Sequence, residues 1–358
     1  MPAPDAPPLT AADREAALAA ARRVADRFID RRAESDGGYV FDLALEALLV
    51  LHEVAGEARY RDAVLAVARR RGWSATNQPR PGQPPFTLLI YELHRLAPDP
   101  AFVEPFVEAT RAYRHTIWRD AHNRVLHTNR WRDTHSVLID SLQEYARRMA
   151  AAGALAGDDD LLHECVEQFR LHREAVRDPA TGLWCQGVGW DADDQPSPHA
   201  WSRGQGWVLR GMIECLRNMP ADHDATAALR ALATELADDV VRAQADTGMW
   251  HALPNLPHDR SPIESSGTGM LTYALARGVQ LRLLAPRFAD PATRGLRALT
   301  QCVTDDGVVL HACQGPGPLR HEHVPRYLDA PAFEPDDEHG PGAVMLGLSA
   351  AALLQERA

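Results

Sequence analysis

The chain has 358 residues, 45% of them hydrophobic, enough for a large buried core. Its net charge of -11 argues against a general nucleic-acid surface, so an anionic ligand would need a locally basic pocket. No run of about 18 apolar residues is present and Met1 to Thr10 lacks the pattern of a secretion signal, so the expected partners include neither membrane nor nucleic acid. Five scattered cysteines (Cys165, Cys185, Cys215, Cys302, Cys313) form no C-x-x-C and read as reduced thiols of a cytoplasmic protein.

Residues 1–10 are Pro/Ala-rich and read as a disordered tail. Ala11 to Arg32 carries one apolar helical face, and Val40 to Glu53 and Ala58 to Arg70 read as the next two helices. Gly72 to Pro85 is a loop. Phe86 to Leu96 and Phe102 to Trp118 are helical, Asp120 to Arg132 is loop, and His135 to Ala152 is a helix. Leu161 to Val176 follows, then a long loop from Arg177 to Ala200, then helices from Trp201 to Arg217 and from Ala225 to Gln244. Ser261 to Ala285 holds a loop and a helix, Pro291 to Val303 another helix, and Gly342 to Leu354 closes the chain. Strands are expected only as short pairs such as Val308-Val309-Leu310.

This all-α pattern carries an internal echo. Turns at Asp120, Asp178, Asp246 and Asp305 recur at about sixty residues, the length of a helix pair with its loops. Paired helices with their long loops on one face predict a closed toroid of helical hairpins with a site in its mouth. An open solenoid is the alternative.

Three stretches could carry chemistry. In Trp201-Ser202-Arg203-Gly204-Gln205-Gly206-Trp207, indoles can face a sugar ring and a guanidinium suits a carboxylate. Ordinary core tryptophans are the competing reading. Asp140 lies in an apolar helical run, where burial would raise its pKa toward that of a general acid; Asp133 before it reads as a helix cap. Glu264-Ser265-Ser266-Gly267-Thr268-Gly269-Met270 opens a helix whose small residues allow close approach, with simple capping the equal alternative. His321-Glu322-His323 alternates like a strand but lacks a third metal ligand, so no metal is expected; Asp336-Asp337-Glu338-His339 reads as loop charge. There is no Walker loop, dinucleotide fingerprint or G-x-S-x-G elbow.

Taken in order, Leu138-Ile139-Asp140, Asp178-Pro-Ala-Thr-Gly-Leu-Trp184, Trp201 to Trp207, Glu264 to Met270 with Tyr273-Ala274-Leu275-Ala276, Gln314-Gly315-Pro316-Gly317 and Glu334 to Gly342 resemble glycoside hydrolase families 105 and 88. These are the unsaturated rhamnogalacturonyl and unsaturated glucuronyl hydrolases, and the likeness runs from Tyr39 to Leu354. It implies a single (α/α)6-barrel catalytic domain over 11–358 that removes a terminal 4,5-unsaturated uronic acid from lyase-generated oligosaccharides. The substrate is an anionic oligosaccharide and no cofactor is needed.

By this resemblance Asp140 is the acid–base residue, Arg203 and Gln205 contact the sugar or its carboxylate, Trp201 and Trp207 shape the ring site, and Glu264 supports it. Asn77 stands where the family carries an aspartate, Leu138 where it carries a tryptophan, and Cys185-Gln186 where it carries a histidine. Asn77 and Gln186 are therefore the remaining candidate substrate contacts, with His127 or His199 as substitutes. A sugar epimerase built on His251 and His311, and a catalytically silent carbohydrate-binding relative, are the alternative functions.

Overall fold

Except in the first hairpin, each outer helix of this protein is followed by a long loop and then an inner helix, while the return to the next outer helix is short. The computed structural model describes residues 7–32, 38–73, 88–126, 136–190, 195–315, 317–329 and 333–354. The outer helices are α1 (Ala11–Arg32), α3 (Ala58–Arg70), α5 (Pro100–Thr116), α7 (Asp159–Val176), α9 (Asp224–Arg242) and α11 (Ala289–Thr300). The inner helices are α2 (Tyr39–Ala55), α4 (Leu89–Leu96), α6 (Asp140–Ala156), α8 (Ser202–Asn218), α10 (Ser265–Gln280) and α12 (Gly340–Ser349). Packing runs α6 to α8 to α10 to α12 to α2, with α4 on α2, and Arg147 of α6 donating to Glu92 of α4 closes the inner ring. The result is an (α/α)6 barrel.

Local signals set the helix ends. Asp99 caps α5 by accepting from Ala101 N–H at 2.9 Å, and Pro100 begins the helix where its missing N–H costs nothing. Gly157 stops α6 in the left-handed conformation at φ 63°. The inner ring is tight because small residues meet: a Cβ on Gly269 of α10 would fall 2.2 Å from the Ala343 carbonyl oxygen of α12.

The sixty-residue echo is a repeated turn after an outer helix. Backbone bonds close each one: Asp120 N–H to Arg124 O, Asp178 N–H to Leu183 O, Ala245 N–H to Met249 O, and Thr304 N–H to Val308 O. Asn123, Gly182, Gly248 and Gly307 have φ of 66°, 80°, 88° and 81°. The turn needs one left-handed residue, which is why glycine or asparagine recurs.

Three expectations change. The expected helix from His135 begins only at Asp140. Before it, β1 (Val137–Leu138) pairs antiparallel with β2 (Gly187–Val188), Leu138 opposite Gly187, so the ladder's backbone bonds displace the helical ones. His321–Tyr327 is a 3-10 helix, not a strand. Of the expected disordered tail, Leu9 is buried in the core, and Arg297 donates to the Pro7 and Pro8 carbonyls.

Charge fills the barrel centre below the N-terminal ends of the inner helices. Arg147 and Arg210 bind Glu46, Arg147 and Arg217 bind Glu92, Arg277 binds Glu53, and Tyr273 donates to Glu214. These contacts tie α2, α4, α6, α8 and α10 together. Burying such a network adds little net stability, but breaking one pair costs about 3–5 kcal/mol because the other charge is stranded. The five cysteines are buried and free.

Candidate active site

The N-termini of the inner helices converge at the long-loop end, where their partial positive charges favour an anion. Asp140 is the first residue of α6. The Ile139 N–H before it donates to the Gln186 carbonyl at 3.1 Å, so the β1–β2 ladder fixes where the helix starts. Asp140 is half-buried and its Oδ1 is buried without a hydrogen-bond partner. Burial pushes its pKa up to about 7, against the opposing pull of the Arg203 charge. An orphaned carboxyl oxygen held near half-protonation is what a general acid at neutral pH requires.

Arg203, on the first turn of α8, is 1% exposed. Its guanidinium lies 4.2 Å over the Trp201 ring. One nitrogen donates to Ser266 Oγ at 2.9 Å and to the Cys313 carbonyl. Nε and the other terminal nitrogen have no partner, and this unused edge has the geometry of a carboxylate clamp. Glu264 stands behind it, fully buried. It caps α10 by accepting from Ser266 and Gly267 N–H, and also accepts from Ser266 Oγ, Ser202 Oγ and Cys313 N–H. Glu264 therefore braces Arg203 through Ser266 and joins α8, α10 and the 313 loop.

The other anticipated residues divide into wall and scaffold. Gln205 is fully buried; its Oε1 accepts from Trp184 N–H at 3.0 Å and its Nε2 donates to Trp184 O at 2.6 Å, which locks the Asp178 turn onto α8. Gln186 Oε1 accepts from Leu319 N–H at 2.7 Å, and its Nε2 donates to Tyr327 Oη at 3.3 Å. Trp201 packs edge-on to Tyr327 and keeps an unpartnered buried indole N–H. Leu138, Trp190, Trp201, Leu253, Leu319 and Tyr327 form an apolar cluster separate from the main core, a wall two residues from Asp140. Trp207 meets Tyr39 edge-on at 6.2 Å. Asn77, His127 and Asp133 lie outside the described residues. His251 stacks on His258 at 4.6 Å, and its Nδ1 bonds the Ser261 carbonyl, while His311 is exposed.

Sequence reasoning missed Tyr39, Asp337 and His339. Tyr39 Oη lies 2.9 Å from His339 Nε2, and His339 Nδ1 lies 2.7 Å from Asp337 Oδ1. Burial raises the Tyr39 pKa to about 12; Arg203 opposes this shift and Asp140 adds to it. Burial, then Arg203, lowers that of His339. These residues belong to α2 and to the loop before α12, about three hundred positions apart, and no local pattern links them. Among the described residues, the one group of possible metal ligands is His163, His223 and Asp224, all near the N-termini of α7 and α9, at the opposite end of the barrel.

Comparison with known proteins agrees with this architecture. The sequence is 32% identical over 158 residues to an unsaturated 3S-rhamnoglycuronyl hydrolase of Alteromonas sp. (strain LOR), covering 44% of this chain and 36% of that protein. It is 23% identical over 240 residues to the unsaturated rhamnogalacturonyl hydrolase YesR of Bacillus subtilis (strain 168), covering 66% of each. The matched region thus spans about a third of the Alteromonas protein. In structure, a family 105 glycoside hydrolase of C. acetobutylicum superposes with a TM-score of 0.76 at 18% identity, over 92% of this chain and 98% of that one. The unsaturated glucuronyl hydrolase of Bacillus sp. GL1 gives a TM-score of 0.64 at 16% identity, over 94% and 95%. The profile of Glycosyl Hydrolase Family 88 matches residues 18–353, and the chain belongs to that family.

Proposed function

We propose that the protein hydrolyses a terminal 4,5-unsaturated uronic acid from an oligosaccharide left by a polysaccharide lyase. The observation that carries this reading is the buried, unpartnered Oδ1 of Asp140 together with the unused, buried edge of Arg203, whose charge acts on that carboxyl. Arg203 holds the substrate carboxylate. Asp140 gives its proton to C4 of the enol ether, positive charge develops at C5 and the ring oxygen, and water adds at C5. The resulting hemiketal opens and releases the aglycone. Trp201, Trp207 and the apolar wall exclude bulk water, which strengthens the charge interactions. Gln205, Gln186 and Glu264 serve mainly by fixing the residues around them, and Asn77 remains a proposed substrate contact.

No step needs a metal or organic cofactor. The free buried cysteines suit a cytoplasmic address, and no helix among the described residues is long and apolar enough to cross a membrane. The test is loss of the ultraviolet absorbance of the conjugated uronate across lyase-generated oligosaccharides. Turnover on one class names the substrate, and none on any class rejects the reading.

A further inference from the structure

We propose that Asp337 and His339 are positioning residues that hold Tyr39 as the water-activating arm of the site, opposite in role to the acid Asp140. This rests on the hydrolase reading above. Hydrogen-bond chemistry fixes the direction of the chain. The hydrogen bonds from His339 keep Asp337 ionised despite its burial, so Asp337 can only accept and His339 Nδ1 must carry the proton. His339 is 9% exposed and kept neutral by burial and by Arg203, which leaves Nε2 bare. Tyr39 therefore donates its hydroxyl proton to Nε2, and the pair borders the clamp: a Cβ on Gly315 would lie 2.7 Å from the unused Arg203 terminal nitrogen and 3.3 Å from His339 Nε2. Trp207 supports the phenol edge-on.

Asp140 transfers its proton to C4 as the C4–C5 π pair forms the new C–H bond. Water oxygen bonds to C5 and gives a proton to Tyr39 Oη, while Tyr39 passes its own to His339 Nε2. The imidazolium is held by Asp337, and solvent returns that proton to Asp140 before the next turnover. The groups acting on the arm are Arg203, Asp140, Glu338, Asp337 and His339. Burial disfavours the charged form of both Tyr39 and His339, so the proton moves through the arm in concert with water attack.

Kinetics of His339→Gln, Asp337→Asn and Tyr39→Phe on a substrate turned over by the wild type test this. Each should lower kcat by about tenfold or more with KM nearly unchanged, and His339→Gln with Tyr39→Phe should be no slower than Tyr39→Phe alone. Glutamine can still accept the phenol hydrogen bond but cannot take up its proton, so a packing role alone would leave its kcat intact. A His339→Gln kcat within about threefold of wild type, or a change confined to KM, overturns the proposal. Nitrogen NMR of histidine-labelled wild type gives an answer that needs no turnover: the Nδ1–H tautomer of His339 is expected, and the Nε2–H tautomer overturns the relay. Absence of wild-type turnover instead rejects the hydrolase reading itself.

Discussion

Replacing Arg203 with glutamine tests the carboxylate clamp and the electrostatics of the acid together. The guanidinium edge left unpartnered in the site can form two charge-assisted hydrogen bonds, each worth about 1.5–3 kcal/mol. Glutamine recovers one ordinary bond of about 1 kcal/mol, so the net loss is about 2–5 kcal/mol, or about 30- to 5,000-fold in kcat/KM. The pH profile carries a second signature. Asp140 acts in its protonated form, so kcat/KM falls as pH rises through its pKa of about 7. The Arg203 charge lowers that pKa, and removing the charge raises it further. The variant should therefore be slower at every pH, yet hold its residual rate to higher pH. Initial rates from uronate absorbance across a pH series measure both, with a melting curve to confirm folding. A loss under about threefold, or an alkaline limb that stays in place, would refute the clamp and its coupling to Asp140.

Three further outcomes follow from the scaffold. Glu264→Gln turns one of two accepting oxygens, Oε1 for Ser266 N–H or Oε2 for Gly267 N–H, into a donor, and should cost about 1–3 kcal/mol in chemical denaturation with a matching loss of kcat/KM through a displaced Arg203. Gly269→Ala drives a methyl to 2.2 Å from the Ala343 carbonyl oxygen, and should lower stability in chemical denaturation by about 2 kcal/mol or more. Glu92 is held at about 2: burial raises its pKa, but Arg217, then Arg147 and Arg95, more than offset this. Its folded pKa is depressed, so its contribution is present above the unfolded value and lost as pH falls from about 4.5 toward 2. Acid denaturation should steepen in that window for wild type and flatten in Glu92→Gln.

The helices were legible because each surface helix carries its own apolar period, and the hairpin repeat because each turn demands a left-handed glycine or asparagine. The raised pKa of Asp140 was legible from its apolar run, though its place was not: two residues of ladder with Gly187 and Val188, some fifty positions away, make Asp140 the first residue of the helix. Gln205 reads in sequence as a polar group for a sugar, but its amide is spent on the Trp184 backbone. Asp337 and His339 look like solvated loop charge until the barrel closes and brings α2 against α12. Long-range closure leaves no mark in local spacing.

The most direct test of the central claim is uronate absorbance over time for wild type and Asp140→Asn on the same panel of lyase products. Loss of absorbance with wild type and none with the variant, which should melt no lower because an amide is easily buried at that position, is the predicted result. Turnover retained by Asp140→Asn would contradict the account.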